Sequence, residues 1–318
     1  MTTSDASPAA RATMLQIGPL PPGWAEQIGA RWPLHAIPNE AALATLPEGV
    51  RAGISVVLAA ARLGTATPAG LPNLRYVLNI GVGYDQLDLA ALKSAGVATG
   101  NLAGLGEMCV ADMAMALLLD VARGTTRGDR FVRDGQWGKT PFPATFRISR
   151  KRLGIIGLGI IGHAIARRAA GFEMSIAYHN RNRRSDVPYA YAASALELAR
   201  MSDHLVIASP GGAETRHMVD AEVLEALPAH GIVVNIGRGS VIDQDALMDA
   251  LESGRLYGAG LDVLDGEPAV PPRLLTLDNV VLTPHRAGST HEGFAESIVH
   301  LLHTLELWVS DGRVLAPI

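Results

Sequence analysis

Leu153-Gly154-Ile155-Ile156-Gly157-Leu158-Gly159-Ile160-Ile161-Gly162 is an apolar run that passes into a Gly-x-Gly-x-x-Gly turn. A strand that ends here, turns at Gly157 and opens a helix after Gly159 points backbone N–H groups at a diphosphate. Gly157 permits the tight turn. Gly159 removes a side chain where the diphosphate would lie, and Gly162 lets the helix pack on the sheet. In a chain of 318 residues with 34 glycines the motif alone is weak. Its flanks add weight: a strand-like run precedes it and helical spacing follows over 161–170. The expectation is a dinucleotide site using Gly157, Leu158, Gly159, Ile160 and Ile161, against the plainer reading of a tight strand–helix turn without a ligand.

Outward from this stretch, short apolar runs alternate with helix-like segments. Before it, candidate strands fall at 14–17, 55–59, 75–80 and 97–99, with helical spacing at 39–46 and 87–95 between them. One amphipathic helix is expected over 107–123, ended by Gly124, and a polar, Arg-rich passage follows over 127–152. The second series of strands is 153–157, 175–179, 204–209, 231–236, 260–264 and 279–283. Runs this short, apolar throughout and separated by helix-sized gaps predict α/β architecture with a doubly wound parallel sheet. A last helix is expected over 292–308, after the second sheet is complete, packing back on the first domain.

Composition narrows the function. Apolar residues make up 48% and charged residues 18%, and the net charge of −4 gives no reason to expect nucleic acid or an anionic membrane as partner. The single cysteine, Cys109, rules out an internal disulfide framework and fits a reducing cytoplasm. The polar start, 1–12, lacks the apolar segment of a signal peptide and reads as a disordered tail. No stretch of about 18 apolar residues suggests a membrane span. No metal site is expected.

Four further segments carry chemistry. An acidic residue about 20 positions after the first glycine would bind a ribose 2′-hydroxyl. Here the second strand runs into His179-Asn180-Arg181-Asn182-Arg183-Arg184, with no carboxylate. A guanidinium binds a 2′-phosphate that a carboxylate would repel, so Asn180, Arg181 and Asn182 are expected to favour NADPH, with NADH still possible; a solvated basic loop is the alternative. Next, Ile236-Gly237-Arg238-Gly239 follows a strand directly, at the end that faces the ligand crevice of such a sheet. Arg238 there is either poised for a carboxylate or an ordinary turn arginine. Finally, Asp262 lies at the end of one strand, Glu267 follows that strand, and His285 follows Pro284 after another. A buried carboxylate bonded to an imidazole favours its charged form, which suits a general acid, although a purely structural Glu–His pair has the same signature.

Together these residues resemble the D-2-hydroxyacid dehydrogenase family over nearly the whole chain, and within it the NADP-preferring glyoxylate/hydroxypyruvate reductases. The resemblance rests on Arg238, Glu267 and His285, on Asn79-Ile80-Gly81-Val82-Gly83-Tyr84-Asp85, and on Val110-Ala111-Asp112 with Ala116-Leu117-Leu118-Leu119. It implies a Rossmann cofactor domain over 105–286 and a discontinuous flavodoxin-like substrate domain over 1–104 and 287–318. It further implies that Val82 and Gly83 bind the substrate carboxylate through backbone N–H groups, as does Arg238. Ser209, Pro210, Ile236, Gly237, Asp262 and His285 would line the cofactor, Asp262 holding the nicotinamide carboxamide. A homodimer built partly on the 107–123 helix is implied as well. Where the family places a small polar residue before Val110, this chain has Glu107, Met108 and Cys109.

The expected activity is NADPH-dependent reduction of a small 2-oxoacid, with Arg238, Glu267 and His285 as the catalytic set. Two alternatives remain at this stage. One is a dehydrogenase for D-lactate or an aromatic 2-hydroxyacid. The other is a non-enzymatic NAD(P)-sensing regulator on the same fold.

Overall fold

The computed structural model describes residues 12–318; the tail expected at the amino terminus lies, through residue 11, outside them. The chain forms two compact units. One runs to Leu105 and resumes over His291–Ile318, and the other is Gly106–Thr290.

The first unit is a five-stranded sheet of β1 (Thr13–Ile17), β2 (Leu34–Ile37), β3 (Ile54–Ala59), β4 (Tyr76–Asn79) and β5 (Ala98–Gly100), in the order β2-β1-β3-β4-β5. Every pairing is parallel. This is the flavodoxin-like order. The central strands β3 and β4 are buried almost throughout, which explains their unbroken apolar sequences. The sequence reading misses β2 because Leu34-His35-Ala36-Ile37 is a half-exposed edge strand without an apolar run. The carboxyl-terminal helix, His291–Asp311, returns to this sheet as expected. Ile298, Leu301, Leu302 and Leu305, at one helical face, pack with Met14, Val56, Leu58 and Leu78. Trp308 stacks on Tyr76 with ring centroids 4.5 Å apart.

The second unit holds β6 (Arg152–Ile156), β7 (Ser175–His179), β8 (Ala190–Tyr191), β9 (His204–Ile207), β10 (Ile232–Asn235), β11 (Gly258–Leu261) and β12 (Val280–Leu282). Their order, β12-β11-β10-β9-β6-β7-β8, reverses beside β6. That is the doubly wound Rossmann topology, with its ligand crevice at the carboxyl ends of the strands next to the reversal. The helix Glu107–Arg123 forms as read, and Gly124 ends it in the left-handed region at φ 61°. The polar passage after it is more regular than its sequence suggests, since Thr125–Arg133 is helical. Asp120 explains this: its carboxylate accepts from the hydroxyls of Thr125 and Thr126 (both 2.5 Å) and from the Thr126 N–H (2.8 Å), nucleating the turn. Among the described residues no helix is long and apolar enough to cross a membrane.

At the opposite end of this sheet, His204 opens β9 fully buried, with neither ring nitrogen hydrogen-bonded. Burial pushes its imidazole from the usual 6.5 down to about 4, against the pull of the adjacent Asp203 carboxylate and with Lys151 and His230 adding to the downward shift. Between these values the unfolded chain takes up a proton that the folded chain refuses. Stability therefore falls as pH drops from about 6.5 to about 4 and levels off below. His204→Leu should flatten this slope, removing up to roughly 3 kcal/mol of pH-dependent destabilisation. Thermal midpoints of parent and variant across that range measure the difference; parallel curves would exclude His204 as the source.

Candidate active site

The glycine turn is built as the sequence predicts. Gly157 sits at φ 94°, and a Cβ there would lie 2.7 Å from the Ser209 nitrogen. A Cβ at Gly162 would lie 2.1 Å from the carbonyl oxygen of Gly157. At Gly159 a Cβ would meet nothing within 4 Å, so Gly157 and Gly162 are demanded by the protein and Gly159 faces open space. The helix Ile160–Ala170 starts at Gly159 without a side-chain cap, which leaves its first-turn N–H groups for an anion. The Ser209 hydroxyl, at the end of the neighbouring β9 loop, is buried without a partner. An uncapped helix start, an unfilled position at Gly159 and an orphaned hydroxyl fit a dinucleotide diphosphate.

Not every expected contact points outward. The Leu158 N–H is donated to Asn180 Oδ1 (2.6 Å), so Asn180 braces the turn from the place where an acidic residue was expected. The Tyr191 hydroxyl in turn donates to the Asn180 carbonyl (3.2 Å). Of the three arginines that follow, Arg184 is turned inward, donating to the Leu158 carbonyl (2.9 Å) and pairing with Asp186. The Arg183 guanidinium lies 5.9 Å from the Tyr191 ring centroid. Arg181 is exposed and pairs with Glu214 at 3.0 Å, while Asn182 is exposed beside it. The basic run thus divides: Arg184 is turned inward, Arg183 lies over Tyr191, and Arg181 pairs with Glu214 in solvent.

Arg238 follows β10 in a turn fixed by Asn235. The Asn235 side chain donates to the Arg238 carbonyl (2.9 Å) and accepts from the Gly237 N–H (3.0 Å). Neighbouring glycines are dictated by contact: a Cβ at Gly237 would sit 2.4 Å from the Ser209 oxygen, and one at Gly239 would sit 1.9 Å from the Leu264 carbonyl carbon. Ile236 is buried and donates its N–H to the Ile207 carbonyl (3.1 Å), and Pro210 anchors its loop by accepting from Thr215 Oγ1 (2.9 Å).

Glu267 and His285 come together. His285 Nδ1 lies 2.6 Å from Glu267 Oε1, and Glu267 Oε2 accepts from the Leu264 N–H (3.2 Å). Both carboxylate oxygens are engaged, so the pair is oriented, and Nε2 is the ring nitrogen left for a substrate. The pair is not buried: the side chains are 47% and 38% exposed. The sequence reading pictured a buried carboxylate and is corrected here. The carboxylate follows a surface turn, Asp265-Gly266, rather than lying inside the sheet.

Asp262 is the buried acid, 2% exposed. Its Oδ1 accepts from Thr283 Oγ1 (2.5 Å) and the Arg286 N–H (2.9 Å), and its Oδ2 accepts from the Ala287 N–H (2.9 Å). The Asp262 carbonyl accepts from the His285 N–H (2.9 Å). His285 itself sits at φ 50°, a left-handed conformation that a histidine adopts only when its surroundings impose it. The expectation for Asp262 was a contact to the nicotinamide carboxamide. What the structure shows is that its three donors, from Thr283, Arg286 and Ala287, gather the backbone on either side of His285.

Before Val110, Cys109 Sγ lies 3.1 Å from Thr290 Oγ1, and the Met108 carbonyl accepts from Arg168 (3.3 Å). In the first unit, the loop after β4 is held from beneath by two buried amides. Asn79 Nδ2 donates to the carbonyls of Gly81 (3.0 Å) and Gly83 (2.8 Å), and Asn101 Nδ2 donates to that of Val82 (2.6 Å). In a trans peptide the N–H opposes the C=O. Pulling the Gly81 and Val82 carbonyls inward therefore turns the Val82 and Gly83 N–H groups outward, as an anion site requires. Asn101 and Thr283 were not singled out from sequence; an amide or hydroxyl that bonds nearby backbone leaves no periodic signal.

A Rossmann sheet, an open diphosphate cradle and an oriented Glu–His pair at its carboxyl edge define a dinucleotide-dependent oxidoreductase. Residues 115–287 match the family model described as D-isomer specific 2-hydroxyacid dehydrogenase, NAD binding domain. The chain is 42% identical over 248 residues to a glyoxylate/hydroxypyruvate reductase of Arabidopsis thaliana, covering 78% of this chain and 79% of that one. It is 33% identical over 314 residues to a 2-ketogluconate reductase of Gluconobacter oxydans, covering 98% and 99%. A crystal structure of an NADPH-dependent glyoxylate/hydroxypyruvate reductase of Sinorhizobium meliloti, in complex with NADP and malonate, superposes with a TM-score of 0.92 at 34% identity over 97% of both chains. The protein belongs to the D-isomer specific 2-hydroxyacid dehydrogenase family and is an NAD(P)-dependent enzyme.

If Asp262 positions His285, Asp262→Ala should lower kcat by roughly 10–100-fold, the scale of loss for a misplaced reacting group. Steady-state kinetics beside a thermal melt check this: a variant equally active, or one that loses activity only through unfolding, would contradict the role.

Proposed function

We propose that this enzyme reduces a small 2-oxoacid of the glyoxylate or hydroxypyruvate type to the D-2-hydroxyacid, preferring NADPH to NADH. The observation that carries the reading is the His285–Glu267 pair, 2.6 Å apart at the carboxyl edge of the sheet that bears the glycine cradle. The names of the relatives and the NADP held by the structural neighbour support it.

The nicotinamide, when bound, supplies the hydride that reduces the substrate's C2. The protein supplies charge and a proton. His285, protonated, gives the proton on Nε2 to the carbonyl oxygen, and Glu267 accepts from Nδ1 and so holds the ring in orientation. Arg238 pairs with the substrate carboxylate and draws negative charge on the carbonyl oxygen toward a fixed positive group. The Val82 and Gly83 N–H groups are proposed as a second carboxylate anchor. The N–H groups of Gly159, Ile160 and Ile161 receive the diphosphate, Ser209, Pro210, Ile236, Gly237 and Asp262 line the cofactor, and Arg181 with Asn182 meets the 2′-phosphate. The single thiol, Cys109, suits a reducing cytoplasm.

A homodimer is proposed on the face of the Glu107–Arg123 helix. A groove of about 500 Å³ runs between that helix and the 274–283 segment, lined by Met113, Leu117, Val121 and Leu274 with exposed Leu275 at its rim. A second copy of the chain would cover it. Sedimentation should show a dimer that Leu275→Asp weakens; a parent chain that sediments as a monomer at micromolar concentration would refute it.

For the chemistry, oxidation of NADPH by glyoxylate, hydroxypyruvate, pyruvate and phenylpyruvate tests the substrate class, and turnover with none of them would overturn the reading. His285→Ala should lower kcat by roughly 10²–10⁴-fold, the usual worth of a general acid. Arg238→Lys should act on KM for the oxoacid more than on NADPH, because a lysine cannot make the paired hydrogen bonds of a guanidinium.

A further inference from the structure

The guanidinium assigned to the 2′-phosphate is already held by a carboxylate. Arg181 Nη1 donates to Glu214 Oε2 at 3.0 Å, from a loop 33 residues further along the chain. Both side chains are open to solvent, 79% and 77% exposed. Glu214 belongs to the loop after β9, which also carries Ser209 and Pro210. We propose that Glu214 is a specificity residue: it occupies Arg181 when no nucleotide is bound, must release it to a 2′-phosphate, and so weakens NADPH binding selectively relative to NADH. The proposal rests on the assignment of Arg181 to the 2′-phosphate.

The loop's construction makes this an exchange of side chains and not of backbone. Thr215 Oγ1 bonds the Pro210 carbonyl (2.9 Å) and the Thr215 N–H bonds the Gly212 carbonyl (3.2 Å), closing the turn on which Glu214 rides. Arg216 pairs with Asp265 at 3.5 Å on the far side. A Cβ at Gly211 would lie 3.1 Å from Arg238 Cγ, so the loop is pressed against the turn beneath it. Glu214 is thereby kept within reach of Arg181 by a tethered backbone, and its own exposed side chain is the part free to swing away.

Charge decides the direction of the exchange. A phosphate monoester carries about −1.5 to −2 charge with three acceptor oxygens, against one charge on a carboxylate, so the phosphate displaces Glu214. A displaced Glu214 keeps its hydration, which makes release inexpensive, and an exposed ion pair is weak in any case. The effect is therefore a modulation of about two- to fivefold. NADH brings no 2′-phosphate and leaves the Arg181–Glu214 pair intact. The pair also puts an acidic group beside Arg181, on the loop after β9 and not on the loop after β7.

The test is a double-mutant cycle of Glu214→Gln and Arg181→Ala, with Kd for NADPH and NADH read from quenching of the chain's tryptophans. Glu214→Gln should tighten NADPH two- to fivefold and leave NADH within the error of the titration. The gain should vanish in the Arg181→Ala background. Unchanged or weaker NADPH binding by Glu214→Gln, while Arg181→Ala weakens it, would overturn the proposal and leave the 2′-phosphate assignment standing. A full gain that persists without Arg181 would overturn it too, since Glu214 would then act on the nucleotide directly. If Arg181→Ala leaves NADPH affinity unchanged, the 2′-phosphate assignment falls and the role of Glu214 falls with it.

Discussion

At the carboxyl edge of the seven-stranded sheet, backbone meets backbone with no side chain between. A methyl group on Gly157 would strike the Ser209 nitrogen, one on Gly237 the Ser209 oxygen, and one on Gly239 the Leu264 carbonyl. These contacts stack the loops that follow β6, β9, β10 and β11 into one layer. Interiors packed this tightly give little when a group is added. The separation between the diphosphate cradle, the Arg238 turn and the loop that ends in Glu267 is consequently a property of glycine placement. Side-chain chemistry is added to a spacing that the backbone has already set.

In each unit by itself, buried neutral and acidic groups hold the backbone of these loops. Asn235 braces the Arg238 turn, Asp262 gathers the 283–287 segment, and Asn79 and Asn101 hold the 81–83 loop of the first unit from below. Each sits where an unsatisfied polar group would be costly, and each is satisfied by backbone. The left-handed His285 illustrates the outcome. A strained residue persists only where its surroundings over-determine it, and here the Asp262 carbonyl and carboxylate bond the backbone at His285, Arg286 and Ala287.

This construction explains what could be read from the sequence. The glycine turn, the buried parallel strands and the charged residues after them were legible, because each has a local signature: spacing, an unbroken apolar run, or a charge at a strand's end. The edge strands β2 and β8 were not, since a half-exposed edge carries no apolar run. The helix Thr125–Arg133 was hidden because its cap, Asp120, belongs to the helix before it. The exposure of Glu267 was hidden as well, since strand order says which edge a residue reaches and not how deep it lies. Glu214 escaped notice because its partner is far away in sequence.

The two exposed ion pairs differ in what can happen to the water around them. Coulomb attraction scales inversely with the local dielectric, so a pair that is weak while hydrated strengthens when a ligand covers it. In the proposed reaction a substrate and a nicotinamide cover His285 and Glu267 and displace water, which strengthens the hydrogen bond between the two side chains. Arg181 and Glu214 are exposed to solvent, and their attraction is in the weak, screened regime. The same chemical motif, a carboxylate against a nitrogen base, is thus proposed to serve catalysis at one site and to adjust cofactor preference at the other, according to whether the ligand dries it.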